Sequence, residues 1–394
     1  MDEDLDHASL SAFYGTLAVS ALSLGGVSRS QDWQEKGLMY KQRAREHTRL
    51  MLRTAYDVPK KTKYKSLLIA LLTMVRVSII SGNRDQADCY LLETEKLIRL
   101  KGLPAQNKSR KRRLLHHCYA FERFLHESTG MFGINLNHRL HVQSAVAMSG
   151  LLVYGQDSGV FRLPDSSNLD QEMLWIKSQE EGENDLHLEK PGIWAGSLYE
   201  EIFGVPEEWF LLLSMVIRLG NEKDSANVGN DSEALPLREF LTRAKAIERR
   251  IRQISSTVVY VAGETADMLG VMKDGLMIYF YRRVYDVESS MMQPIVRGIS
   301  DYLASRTDLD PGSLHGSFLL AWTAFIAACE AEDEKTQERF SLWFKDAARK
   351  SGLPSFTNTL GIIEKVWSER ANYDGTSRTW LDLVRHDAML RQNI

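Results

Sequence analysis

At 394 residues, with 44% hydrophobic and 26% charged residues, the chain has enough apolar mass to bury a large core. A formal net charge of −3 argues against a basic nucleic-acid surface spread over the whole molecule. Cys89, Cys118 and Cys329 are too few and too scattered for a disulfide scaffold or a Cys-x-x-Cys zinc module, and they fit a reducing compartment.

The opening "MDEDLDHASL" is acidic, the wrong sign for a secretory or mitochondrial leader. In "LSLGGV" (22–27) the adjacent glycines lack the Gly-x-Gly-x-x-Gly spacing, so the stretch reads as a turn. Over 63–82 the positions Leu67, Leu68, Leu71, Leu72, Val75 and Ile79 recur at spacings of three and four, which predicts a helix stopped by Gly82-Asn83. Its apolar run "LLIALLTMV" is closed by Arg76, well short of the roughly twenty residues of a membrane span, so it reads as a core helix. A second helix over 84–101 carries Ala87, Tyr90, Leu91, Leu97 and Ile98 and ends at Gly102 and Pro104. The pair resembles one tetratricopeptide-type hairpin, although no period of about 34 residues recurs.

A third helix is expected from Ser109 to about Gly130. It starts in a basic cluster, Lys108, Arg110, Lys111, Arg112 and Arg113, whose charge opposes the helix dipole. The cluster reads as a nuclear-import signal, as a patch for phosphate or an acidic partner, or as a solvated face paired with the acidic loops. Downstream, His116, His117, Cys118, Glu122 and His126 do not make a zinc site, since no His-Glu-x-x-His spacing is present. They read as partly buried or surface histidines.

Residues 155–192, interrupted only by a short apolar piece around Leu174–Ile176, and the polar 220–236 read as surface loops. They divide an N-terminal block (about 1–154) and a loop-rich middle (155–236) from a C-terminal block (237–394), and the three read as one continuous helical body. "STVVYVAG" (256–263) is the single β-branched cluster and is taken as buried helix, because it lies in a long helical-period segment. The fold class is therefore all-α: stacked antiparallel hairpins in one large helical body.

In the C-terminal block, Phe318, Ala321, Trp322, Phe325, Ile326 and Cys329 form a wide apolar stripe. Glu330, Glu332, Asp333 and Glu334 follow. They suit either a magnesium-holding carboxylate cluster of the prenyl-diphosphate type or a solvated elbow between helices. The first needs Asp-Asp-x-x-Asp and a second metal motif, which "NDSEALPLRE" (230–239) does not supply, so the elbow is preferred, with Glu330 within reach of Arg339. Phe340, Trp343, Phe344 and Ala347 continue to Gly352 and Pro354. Phe356, Leu360, Ile363 and Trp367 mark another helix, and Trp380, Leu383 and Val384 a last one. Trp322, Trp343, Trp367 and Trp380 are expected in the core. No Gly-x-Ser-x-Gly elbow or phosphate loop occurs, and Cys329 sits on an apolar face where burial makes a thiol inert. No catalytic residue, metal site or cofactor motif is identified.

The same residues carry a family resemblance. "LLAWTAFIAACEAEDEKTQERFSLWF", then "GLPSFTNTLGIIEKVWSER" and "TWLDL", resemble the C-terminal signature of the fungus-specific transcription-factor regulatory domain. That domain is the helical region downstream of a Zn2Cys6 cluster, and the likeness is to its arginine-metabolism-regulator-like subgroup. The signature falls on Trp322, Phe325, Ile326, Ala327, Cys329, Glu330, Ala331, Arg339, Val366, Trp367 and Trp380. "LDHASLSAFYGTLAVSALSLGG", "CYLLETEKLIRLKG" and "MIYFYRRVY" (277–285) are similar to earlier family elements. Thr323 stands where the family commonly has Pro, Tyr90 where it has His, and the six-cysteine cluster is absent.

The resemblance implies a nuclear, non-enzymatic regulator of RNA polymerase II transcription. Its partners would be a small-molecule effector, transcription co-regulators or a second copy as a homodimer, with DNA bound only through a domain not present in this chain and no membrane role. The effector is expected in a cleft between the N-terminal and C-terminal blocks, gated by 155–192. The rival readings are a helical scaffold for protein–protein interaction and an all-α prenyl-diphosphate enzyme.

Overall fold

The computed structural model describes residues 6–57, 62–105, 108–129, 136–149, 161–163, 168–227, 235–257, 264–306, 314–372 and 379–382. In chain order the first helices are α1 (His7–Ser28), α2 (Gln31–Thr54), α3 (Tyr64–Ile80), α4 (Arg84–Leu97), α5 (Arg110–Ser128) and α6 (Leu136–Met148). A π-turn over Ile98–Gly102 extends α4. Then come α7 (Leu169–Glu172), α8 (Gln179–Asn184), α9 (Tyr199–Phe203), α10 (Glu207–Asn227) and α11 (Leu237–Thr257). The last five are α12 (Glu264–Val284), α13 (Ser289–Ser305), α14 (Leu314–Glu330), α15 (Glu334–Ser351) and α16 (Pro354–Asn372). Among the described residues there is no β-strand, only an isolated parallel bridge between Ile176 and Ile193. The all-α class read from periodicity is what the chain adopts.

The helices gather into two compact units. One comprises Met1–Arg123, Gly133–Gly159 and Phe344–Gly361, the other Phe124–Phe132, Val160–Trp343 and Ile362–Ile394. The first is built on a close α1–α2–α3 contact. α1 turns a stripe of small residues inward: Ala8, Ser11, Gly15, Ala18, Ala21 and Gly25 are buried. A methyl group on Gly15 would lie 2.5 Å from the Thr73 side chain, and one on Gly37 of α2 would lie 2.7 Å from Leu22. Such backbone proximity brings many dispersion contacts into reach. By length and hydropathy alone α1 would suffice to cross a membrane.

"LSLGGV" is not a turn. Gly25 and Gly26 lie inside the last turns of α1, where a Cβ on Gly26 would stand 2.0 Å from the Gly352 carbonyl oxygen. The glycine pair there permits helix contact rather than chain reversal. The predicted break at Gly82-Asn83 does form. Gly82 takes a left-handed φ of 73°, the Asn83 N–H closes onto the Ser78 carbonyl, and the Asn83 side chain caps α4 by accepting from Gln86 N–H at 3.0 Å. α3 buries Leu67, Leu68, Leu71, Met74 and Val75, as its spacing requires.

In the second unit, α10 is buried on every side from Trp209 to Glu222, so it runs through the middle of its unit. α11 and α12 pack on it, and α12 and α13 pack on α14. Gly275 of α12 lies against Thr323 of α14, where an added Cβ would be 2.7 Å from the threonine methyl. The stretch read as a surface loop over 155–192 is, where described, folded against this unit: Met173, Leu186, His187 and Leu188 are buried. Residues 258–263, which hold most of the β-branched cluster, lie outside the described residues, as do Leu383 and Val384.

Candidate functional site

Of the family-signature residues, Cys329, Glu330, Ala331 and Trp367 meet at the C-terminal end of α14 in the second unit. A helix end leaves four carbonyls without intrahelical partners. Here side chains from elsewhere in the unit take up the last three of them and the carbonyl of the residue that follows. Trp367 Nε1 donates to the Ala328 carbonyl at 2.7 Å and Arg370 Nη2 to that of Cys329 at 2.8 Å. Gln293 Nε2 donates to the Glu330 carbonyl at 2.8 Å, and Gln337 Nε2 to that of Ala331 at 3.0 Å. The positive charge of Arg370 also sits where the helix dipole is negative, a placement that stabilises by about 0.3–1 kcal/mol at a surface and more when partly buried.

Glu330, the last residue of α14, is fully buried. Its Oε1 accepts from Arg282 Nε at 3.0 Å, and Arg370 Nη2 lies 3.3 Å from its Oε2. Arg282 donates in addition to the Val287 carbonyl. The carboxylate thus joins α12, α14 and α16. This corrects the expectation that Glu330 pairs with Arg339. Arg339 instead bonds Asp301 at the surface, because the buried end of α14 points its last side chain at α12 rather than along the elbow. The elbow itself forms as read. Glu332 accepts from Ser289, and Asp333 caps α15 by accepting from Thr336 N–H at 2.9 Å. That backbone donor holds the Asp333 carboxyl below its ordinary range. Each carboxylate except Glu334 therefore has a structural partner, and they do not converge on one point.

The tryptophans divide into two kinds. Trp322 and Trp380 are buried, Trp343 and Trp367 half-buried. Trp322 meets Trp209 edge to face at 5.6 Å and donates Nε1 to Ser128 Oγ at 2.8 Å. Trp380 meets Phe325 edge to face at 5.2 Å, but its buried Nε1 has no acceptor among the described residues. The Cys329 thiol is fully buried, as its apolar face requires.

The basic cluster belongs to the first unit. Lys108 is buried, Arg110 and Lys111 are exposed, and Arg112 and Arg113 are half-buried. The Arg112 guanidinium lies over the Tyr64 ring at 4.9 Å. Tyr64 Oη and His116 Nε2 are 2.7 Å apart, and a Cβ on Gly102 of the π-turn would strike both groups. Burial first, then nearby positive charge, lowers His116 to about 3; burial lowers His117 to about 4. Glu122 pairs with Arg76 at 2.5 Å, and burial raises the Cys118 thiol to about 11. Among the described residues no three His, Cys, Asp or Glu side chains are placed to hold a metal ion.

A second buried carboxylate, Glu95, organises this unit. It accepts from Arg99 Nε at 2.8 Å and from Tyr119 Oη at 2.9 Å, and Arg123 Nη2 lies 3.8 Å away. Neither this set nor Arg282, Gln293, Gln337 and Arg370 was singled out in the sequence. The signals present were the i, i+4 spacing of Glu95 and Arg99, and two arginines, 282 and 283, inside the apolar run of α12.

The end of α14 is thus held by side chains of four other helices, α12, α13, α15 and α16. Residues 4–390 match the fungal specific transcription factor domain, and the chain belongs to that family. It is 20% identical, over 89% of its length, to arginine metabolism regulation protein II of Saccharomyces cerevisiae. The chain spans about half the length of that relative, 45%. No solved structure matches it.

Proposed function

We propose that this chain is the regulatory domain of a fungal transcription factor, without catalytic activity of its own, acting in the nucleus on RNA polymerase II transcription. The match of residues 4–390 to the family carries this reading. The use of Glu330, Glu332 and Asp333 as pairing and capping groups supports the non-enzymatic part, because a diphosphate-ionising site needs carboxylates that converge on metal. In this reading DNA is contacted through a Zn2Cys6 domain outside the sequence given, and the chain answers to a small-molecule effector or to co-regulators. The relative's name makes arginine the first effector to test.

The experiment joins the chain to an unrelated DNA-binding domain and follows a reporter gene in a fungal host. Reporter output that changes with nutrient supply, and is lost when the chain is omitted, is the expected result. A fusion that enters the nucleus and leaves the reporter at the level of the DNA-binding domain alone would overturn the reading. Native mass spectrometry of the protein from its source cells separates the two forms of control: a co-purifying small molecule identifies an effector, and a bare chain mass assigns control to protein partners.

A further inference from the structure

In the second unit a short segment reverses the usual rule of burial. Leu174, Trp175 and Ile176 are 71%, 62% and 76% exposed, and Ile193 beside them is 58% exposed. The charged residue between them is inside. Lys177 is buried and pairs with Asp185 at 2.9 Å, with Glu207 at 3.9 Å. Alternation along an extended chain explains how Ile176 faces out when Lys177 faces in. It does not explain why the apolar side was given to solvent, since burying such side chains is what normally stabilises a fold.

The backbone under these four residues is fixed. Ile193 N–H donates to the Trp175 carbonyl at 2.7 Å and Lys177 N–H to the Ile193 carbonyl at 2.9 Å. Gly192 has a φ of 126°, and a Cβ there would stand 2.8 Å from the Trp175 carbonyl oxygen. Trp194 turns inward, packs on Gly182 of α8 and donates Nε1 to Gln179 Oε1 at 3.3 Å. The patch is thus presented on a bridged, glycine-dependent frame. Contiguous exposed apolar surface on a fixed backbone marks an interaction site, and tryptophan is among the residues that dominate such sites.

Charge identifies the occupant. Residues 169–193 hold seven carboxylates (Asp170, Glu172, Glu180, Glu181, Glu183, Asp185, Glu189) against two ammonium groups (Lys177, Lys190), seven minus two giving a net −5, while the whole chain carries −3. Asp170 is met by Arg249 and Arg250 of α11, and Lys190 acts on Glu181. α8, which carries Glu180, Glu181 and Glu183, lies directly against Trp194, the neighbour of Ile193. We propose that Leu174, Trp175, Ile176 and Ile193 form a docking surface for a basic amphipathic segment of a partner protein, its apolar side chains on the patch and its Lys and Arg side chains on the flanking carboxylates. Nucleic acid and anionic membrane are repelled by the same carboxylates, and a second copy would bring like charge against like. The inference goes beyond the function proposed above, since it requires a polypeptide partner whatever the chain regulates.

The test uses the full chain and a labelled Leu/Lys amphipathic peptide of about eighteen residues, five helical turns. A Leu/Glu peptide of the same pattern is the control, and both are followed by fluorescence anisotropy at physiological ionic strength. The Leu/Lys peptide is expected to bind. The double variant W175D/I176D, with unchanged circular dichroism, weakens it by at least about tenfold. Glu180→Lys weakens it less, and Leu342→Asp, at another exposed leucine, leaves it unchanged. Four outcomes overturn the proposal: no binding of the Leu/Lys peptide, equal binding of the Leu/Glu peptide, binding that W175D/I176D does not change, or a dimer that W175D/I176D dissociates.

Discussion

Glu95 in the first unit and Glu330 in the second are both carboxylates with no exposure to solvent, yet they are assembled in different ways. Glu95 draws on its own neighbourhood: Arg99 is four residues on, one turn along into the π-turn, and Tyr119 comes from the next long helix. Glu330 draws on Arg282 and Arg370, 48 and 40 residues distant in sequence, so its partners meet only when three helices have docked. Desolvating a carboxylate costs several kcal/mol, and the cost is recovered only if every partner is in place. A local pair can form with its helix, whereas a long-range triad reports completed tertiary structure. The comparison therefore predicts which unit loses cooperativity when its carboxylate is removed.

The largest expected effect is at Glu330. Glu330→Ala leaves Arg282 buried without its carboxylate and should destabilise the chain by roughly 3–5 kcal/mol in urea unfolding. Amide exchange should accelerate together in α12, α14 and α16, while Glu95→Ala should accelerate exchange in α4, the π-turn and the α5 segment around Tyr119. A Glu330→Ala cost below about 1 kcal/mol would mean that the triad contributes no more than a surface pair, and the contrast would collapse.

The next effect belongs to the first unit alone. His116 and His117 are held near 3 and 4, below the ordinary value of 6.5. Their folded-state values are depressed, so the unfolded chain takes up protons first as pH falls. Stability is fully present above pH 6.5 and is lost on acidification from 6.5 towards about 4, by up to about 1.4 kcal/mol per pH unit for each histidine. Changing His116 to Gln, which keeps a partner for Tyr64 Oη but cannot titrate, should lower stability at pH 7.5 and flatten this acid limb. An acid limb of unchanged slope in that variant would show that His116 does not carry it.

Trp322 and Trp380 sharpen the contrast inside the second unit. Replacing either with Ala should cost roughly 3–5 kcal/mol as a large core truncation. Replacement with Phe should separate them. Trp322→Phe deletes the bond to Ser128 as well as volume, and Trp380→Phe removes a buried donor that has no acceptor among the described residues. The expected difference is about 1 kcal/mol, with Trp380→Phe the milder, read from melting temperatures. The reverse order would place a partner on Trp380 Nε1.

What was legible follows from the same physics. Helices, their stops at Gly82 and Gly352, the Asp333 elbow and the burial of Cys329 are set by residues a few positions apart, and periodicity shows them directly. The partners of Glu330 were not legible, because nothing local distinguishes Arg282 or Arg370 from Arg339, which is nearer in sequence. The Gly25-Gly26 pair misled for a related reason. Two glycines fit a turn or a close helix contact equally well, and only the position of Gly352 decides between them. The basic cluster was legible as a charge run, but its division into buried Lys108, ring-stacked Arg112 and exposed Arg110 and Lys111 depends on where Tyr64 lies.

Arg339 gives the smallest and most discriminating test of that lesson. As a family-signature residue read as the staple for Glu330, it should cost several kcal/mol to lose; as a partner of Asp301, with 36% and 64% of the two side chains exposed, it should cost about 0.2–1 kcal/mol. Arg339→Ala is therefore expected to shift the melting temperature slightly at low ionic strength and hardly at all in molar salt, where the Debye length falls to about 3 Å. Arg370→Ala should keep its effect under both conditions, because Glu330 is closed off from solvent. If the Arg339 deficit survives high salt undiminished, its interaction is not the exposed pair with Asp301, and the two-helix staple read from the sequence would have to be restored.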